Sequence, residues 1–280
     1  MSVSEHNREN DRESRGQIWI RALTGQDGEA SGTIRSVIHA TAALGDETAR
    51  FIAVVPDREN HFPRARQGEV GLEEGWMLAR VVRDTMAASA VAETKQAIIA
   101  IVDVSSQAYG RREELMGVHM ACAAAANAYA DARLAGHPVI ALIVGKAMSG
   151  AFLAHGYQAN RIIALDDPGV LIHAMGQAAA ARVTRRTVEE LTELGSRIPP
   201  MSYDVKNYAK LGILAELLEG IDPDQPDNGA RILVQSALSK AIADTRASGA
   251  KDLSNRYASP EAHTLRQASI EVRRRLAEQW

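Results

Sequence analysis

The stretch Pro138–Gly156, PVIALIVGKAMSGAFLAHG, decides how this chain is read. Val139–Val144 is an unbroken apolar run of strand length, and Gly145 follows it. Ser149-Gly150 then opens a second apolar run. A fully buried strand that turns sharply into a helix has this pattern. Ser149 is a suitable N-cap, and the N–H groups after it lack partners inside the helix. Those donors, with the positive end of the helix dipole, suit a developing negative charge. Gly150 has no Cβ, so a ligand atom could approach the backbone closely. On this stretch alone the plainer reading, a tight βα turn with a satisfied cap, takes precedence, since fold does not fix function.

The same pattern recurs on either side. Ala97–Val104 (AIIAIVDV) is a buried-type strand leading into Ser105–Gly110 and an alanine-rich helix expected over Arg111–Leu134. Glu113 and Glu114 fall in its first turn, where the dipole favours carboxylates. Arg161–Leu165 and Gly169–His173 read as short strands, the second feeding a helix over Met175–Val183. This βαβ rhythm predicts mostly parallel pairing with right-handed crossovers. Upstream, a strand within Thr33–Leu44 and another at Ala49–Val55 flank Gly45-Asp46 and pair as a hairpin.

Pro56–Gly75 is a long polar connection, of a kind that is usually functional or partner-facing. It carries Arg64 and Arg66 close to Glu69, Glu73 and Glu74. Two readings stand level: a solvated surface with weak ion pairs, or a binding lip for phosphate groups or a partner chain. Helices are expected at Gln17–Thr24, Leu72–Ala88, Thr187–Leu194, Ser202–Leu211 and Arg231–Thr245, with a short strand at Ile213–Leu218. Met1–Gly16 reads as a disordered arm, and residues 17–280 as one domain with C-terminal helices, Arg273–Arg275 lying on a solvated helix face.

Composition narrows the function classes. The 280 residues are 46% apolar, ample for a core, but only 4% aromatic and rich in alanine, so helices are expected to pack closely. The net charge of −3, without a block of like charge, argues against nucleic acid or an anionic membrane as the main partner. No apolar run is of membrane-spanning length, and the N-terminus lacks an apolar signal core. Cys122 is the single cysteine, so a cytoplasmic location is expected, and among alanines it reads as a small buried residue. No zinc-ligand spacing, P-loop or Gly-x-Gly-x-x-Gly turn is present, so neither metal nor nucleotide cofactor is expected.

Four segments together carry a family resemblance: ARFIAVVPDRENHFPRARQGEVGLEEGW (49–76), VDVSSQAYGRREELMG (102–117), VGKAMSGAFLA (144–154) and NYAKLGILAELLE (207–219). In order and spacing the chain resembles the crotonase-like superfamily, its acyl-CoA carboxyltransferase branch and, within it, the gamma subunits of biotin-independent malonate decarboxylases. The resemblance covers roughly residues 50–220. It implies an α/β crotonase/Clp-like spiral of ββα units, with helices around two near-perpendicular sheets. It also implies an obligate beta subunit of the same fold, with the active site between the two. The substrate would be a malonyl thioester on an acyl-carrier subunit whose arm is phosphoribosyl-dephospho-CoA, and the products acetyl-carrier and CO₂. An acyl-transferase alpha subunit would be a further partner, and this chain would bind no cofactor of its own.

Loss of CO₂ from a malonyl thioester leaves an enolate with its charge on the thioester oxygen. Hydrogen-bond donors can hold that charge without a metal, and losing one typically raises the barrier by ~3 kcal/mol. Two turns offer backbone N–H groups: Met148, Ser149, Gly150 and Ala151 first, then Gln107, Ala108, Tyr109 and Gly110. Relative to carboxyltransferase alpha subunits, Ser106 replaces Pro and Met148 replaces Gly, so which N–H points inward stays open. Gly145, Arg64 and Arg66 are assigned to binding of the prosthetic arm or the partner.

Other readings compete. KAMSGAFLA also resembles the Ser-Met-Gly-Ala turn of Clp-type serine peptidases, with His173 near their histidine, but Met148 stands where the nucleophile belongs. His173 is a buried strand-end histidine, a group positioning the substrate carboxylate, or the proton donor to the enolate carbon. His137 and His155 read as structural. A non-catalytic scaffold subunit and a carboxyltransferase half that passes CO₂ to biotin complete the alternatives.

Overall fold

A computed structural model describes residues 13–280. The chain opens with helix α1 (Arg15–Thr24), whose cap is Ser14; the Ser14 hydroxyl accepts the Gln17 amide. Most of the expected arm, residues 1–12, lies outside the described residues. Its last residues are helical instead, because Arg15 is tied down. The Arg15 guanidinium donates to Asp167 at 2.9 Å, to Asp224 at 2.8 Å and to the Val144 carbonyl at 3.1 Å.

Strands β1 (Glu29–Ser31), β2 (Ile34–Leu44) and β3 (Glu47–Val54) form an antiparallel meander, with Gly45 at φ 62° turning the β2–β3 hairpin. Then follow α2 (Leu72–Ala88), β4 (Ala97–Val104), α3 (Arg111–Leu115), α4 (Val118–Leu134), β5 (Val139–Met148), α5 (Ser149–Ala154), β6 (Arg161–Leu165) and β7 (Ile172–His173). The chain ends with α6 (Gln177–Thr184), α7 (Val188–Arg197), α8 (Val205–Lys210), β8 (Glu216–Leu218), α9 (Asn228–Ser248), α10 (Pro260–Leu265) and α11 (Gln267–Gln279).

The eight strands join in one sheet of order β1-β2-β3-β4-β5-β6-β8, parallel from β3 onward, and β7 branches onto the far end of β5. Strands β4 and β5 are covered on both faces, which is why they read as continuous apolar runs. Ile98, Ile99, Ile101, Ile140 and Leu142 are all fully buried. One contiguous core runs from Trp19 to Ile242. Helices α2 and α4 pack at the close range expected of small residues: a Cβ on Gly75 would lie 2.6 Å from the Ala121 carbonyl.

Several boundaries differ from the sequence reading, each for a local reason. The expected helix Arg111–Leu134 is two helices, because Gly117 turns the chain at φ 87°. Strand β5 does not stop at Val144 but runs through Gly145 to Met148. A bulge between Val102 and Val104 turns the Asp103 carboxylate toward β5, where it accepts the Lys146 amide at 3.0 Å. The space a side chain at 145 would need is taken by that carboxylate, 2.1 Å from the Cβ position. Some later elements are shorter than expected: β7 and β8 keep only Ile172–His173 and Glu216–Leu218, and α8 starts after its Asp204 cap, whereas α7 runs on to Arg197 and α9 spans Asn228–Ser248.

Candidate active site

The C-terminal ends of β4, β5 and β7 open into a cleft of about 980 Å³. Brought together in its lining are Gln107 and Tyr109 after β4, Ser149 and Gly150 after β5, and His173 at the end of β7. Cys122 and Ala126 of α4, Phe152 and Leu153 of α5, and Ala179 and Val183 of α6 form its apolar walls.

At the floor of this cleft two donors converge on one oxygen. The Gly150 N–H donates to Gln107 Oε1 at 2.6 Å, and the Ser149 hydroxyl donates to the same atom at 2.9 Å. An amide N–H can only donate, so the carboxamide atom facing it is the oxygen. Ser149 adopts φ 61°, a left-handed conformation that costs a non-glycine residue roughly 1 kcal/mol. The cap expected at Ser149 is therefore not formed: Met148 holds the cap position without a side-chain bond, and the Ser149 hydroxyl goes to Gln107. The expectation of unpaired amides is likewise corrected for Gly150, whose donor is held by a side chain.

The second turn is committed to the fold. Ala108 is buried, and its N–H donates to the Val70 carbonyl at 2.8 Å, while the Val70 N–H donates to Ser106 at 3.0 Å. This two-way bridge anchors the 56–75 connection and leaves Ala108 no free donor. Gly110 makes room for the buried Glu113, whose Oε2 lies 2.0 Å from the Gly110 Cβ position. Met148 and Ala151 are buried beneath the cleft and do not line it, and Gly145 is covered by Asp103. Arg64 is exposed beside Gly110, and Arg66 donates to the Asn60 carbonyl at 3.0 Å; neither lines the cleft. The ion-pair reading of Glu74 is overturned. It is fully buried and accepts from Ser36, Asn60 and the Gly71 amide.

His173 stacks on Tyr203, with ring centroids 3.9 Å apart, and its Nδ1 lies 3.1 Å from the Met175 carbonyl oxygen and 3.2 Å from the Met175 amide nitrogen. Burial lowers the pKa of His173, so the ring is neutral near pH 7. Ser149 and His173 each bond elsewhere, so the nucleophile–base contact of a peptidase is not made. His155 is fully buried and satisfied, accepting from Tyr129 OH at 3.0 Å and donating from Nε2 to the Ile101 carbonyl at 2.9 Å. Burial pushes the Cys122 thiol up to about 11, which makes it unreactive at neutral pH.

The reading by residue type missed the Gln107 side chain, whose oxygen accepts from the donors that were expected to stay free. The signal was present: a lone carboxamide among small residues directly after a buried strand, in SSQAYG. It also missed exposed apolar side chains: Leu153 and Val183 (70% exposed) in the cleft lining, and Leu115 (88% exposed), Met116 and Met120 in the segment next to the lining residues Glu114, Val118 and His119.

The family model for the malonate decarboxylase gamma subunit matches residues 65–280. The chain belongs to the malonate decarboxylase gamma-subunit family. Within it, the chain is 54% identical to a chain of a Pseudomonas malonate decarboxylase hetero-tetramer crystallised with coenzyme A. The match covers 95% of this chain and 100% of that one, with a TM-score of 0.90. It is also 36% identical over 186 residues to the malonyl-S-ACP:biotin-protein carboxyltransferase of Malonomonas rubra. That alignment spans 65% of this chain and 64% of the length of that relative. The transcarboxylase 12S core is similar over 75% of this chain and 36% of its own, at 22% identity and a TM-score of 0.55, a likeness of fold alone. The fold is thus that of the crotonase-type carboxyltransferases. Among the described residues no helix is long and apolar enough to cross a membrane.

Proposed function

We propose that this chain forms one half of a decarboxylating site. With a beta-type partner subunit it converts a malonyl thioester on an acyl carrier into the acetyl thioester and CO₂. The bond between the carboxylate carbon and the α-carbon breaks. Its electron pair passes into the thioester, leaving an enolate whose charge rests on the thioester oxygen, and the α-carbon then takes up one proton. The Gly150 N–H and Ser149 hydroxyl are the donors assigned to that oxygen, with the neutral His173 at the cleft wall positioning the carboxylate or supplying the proton.

One observation carries this reading. The two donors already hold a carbonyl-type oxygen within the cleft, at 2.6 and 2.9 Å, the range a thioester oxygen would need. The exposed apolar side chains of Leu115, Met116 and Met120, with Val183 in the cleft lining, support a partner subunit at this face. The likeness to a subunit of a hetero-tetramer supports the same arrangement. The carrier's phosphoribosyl-dephospho-CoA arm enters as substrate, and this chain contributes no cofactor of its own. An alpha-type acyl-transferase subunit would supply the malonyl group to the carrier. The setting is the cytoplasm, where a lone thiol such as Cys122 stays reduced.

The test is the complex of this chain with its beta-type partner, assayed for CO₂ release from malonyl-coenzyme A without a biotin protein. Release that Gly150→Ala abolishes is expected. Release that survives changes at both turns would make this chain a scaffold, and a requirement for a biotin protein would make it a carboxyltransferase half.

A further inference from the structure

We propose that the Gln107 carboxamide is a built-in stand-in for the substrate carbonyl, which holds the Ser149–Gly150 donors in place and must rotate out before a thioester binds. The inference rests on the decarboxylase reading above and adds a positioning residue to it.

Three observations converge. First, Gln107 Oε1 takes both donors at once, from Gly150 N–H at 2.6 Å and Ser149 Oγ at 2.9 Å. A carboxamide carbonyl and a thioester carbonyl present the same planar acceptor, so both cannot occupy these donors. Second, the fit is tight: Oε1 lies 2.2 Å from where a Gly150 Cβ would sit, so the seat exists only because residue 150 is glycine. Third, Gln107 is anchored by backbone and not by its side chain. The Val70 bridge fixes the main chain on either side of it, while the carboxamide lines the open cleft and, among the described residues, bonds only to the Ser149–Gly150 turn. Rotation about the Gln107 side-chain bonds therefore empties the seat without disturbing the fold. While it is occupied, the contact steadies Ser149 in its left-handed conformation at φ 61°.

The test uses the complex with the beta-type partner and, as probe, the carba(dethia) analogue of acetyl-coenzyme A, in which methylene replaces sulfur and the carbonyl is kept. Gln107→Met keeps the side-chain length and removes the acceptor. With two competing hydrogen bonds lost, the analogue is expected to bind about five- to tenfold more tightly and KM for malonyl-coenzyme A to fall in step. A residue that merely braces the turn would show the opposite: weaker binding, raised KM and lowered kcat. Unchanged or weaker binding overturns the proposal. A crystal structure of the unmutated complex with the analogue tests it without any variant. The analogue carbonyl on Gly150 N–H, with Gln107 swung away, is expected; a bound carbonyl beside an intact Gln107–Gly150 bond overturns it. If the unmutated complex releases no CO₂, the decarboxylase reading fails instead. An active complex whose Gln107→Met form binds no tighter sinks this proposal alone.

Discussion

The carboxamide oxygen of Gln107 lies 2.6 Å from the amide nitrogen of Gly150, linking the end of β4 to the end of β5 across the cleft floor. Any group added at residue 150 enters this contact. A Gly150→Ala methyl would sit 2.2 Å from the present oxygen, where substrate carbonyl and carboxamide alike must bind. We expect kcat/KM for malonyl thioester to fall by about a hundredfold or more, the scale of losing an oxyanion donor. Far-ultraviolet circular dichroism should be unchanged, since Gly150 does not use a left-handed φ.

Ser149 serves as one donor of two and not as a nucleophile. Ser149→Ala removes the hydroxyl and leaves the Gly150 amide in place. Activity is expected to drop about tenfold, the effect of one neutral hydrogen bond, without being abolished. Steady-state kinetics of the complex, together with a fluorophosphonate probe, check this. Covalent labelling of Ser149 in the unmutated chain would contradict it.

Glu74 is a buried cap whose loss should be felt where α2 begins. Glu74→Ala orphans the Ser36 hydroxyl, the Asn60 amide and the Gly71 N–H together. A destabilisation of about 3 kcal/mol is expected, read as a lower urea midpoint at unchanged slope. Glu74→Gln should fall between, because its carboxamide turns one acceptor into a donor that faces donors.

His155 makes stability depend on pH. Full burial lowers its pKa from 6.5 to about 4, so between these values the unfolded chain binds the proton and the native chain does not. Its contribution is complete above pH 6.5 and is lost as pH falls toward about 4. The total is about 3 kcal/mol, from the size of that shift. Urea denaturation across this range should show the slope in the unmutated chain and a shallower one in His155→Gln.

Legibility from sequence varied with the physics of each element. The strands Ala97–Val104 and Arg161–Leu165 and the helix Leu72–Ala88 have the bounds expected of them. Their patterns are set by burial on both faces or along one stripe, and burial leaves a direct trace in residue type. The break at Gly117 left no comparable trace. An alanine-rich helix has no strong polar face to lose phase, and a single glycine within one is often tolerated. The course of β5 through Gly145 was hidden for a different reason, since it depends on Asp103 arriving from a neighbouring strand.

Residue order alone determined that small residues follow two buried strands, and that Gly150 permits close approach to its backbone. It could not decide what meets that backbone. That choice belongs to the tertiary structure, which sets Gln107 opposite Gly150, Val70 opposite Ala108, and His173 against Tyr203, with the Ser149 hydroxyl bonded to Gln107. The reason is one of range. Apolar periodicity is local and survives in the one-dimensional record, whereas a hydrogen bond between residues forty positions apart exists only after the sheet has placed their strands side by side.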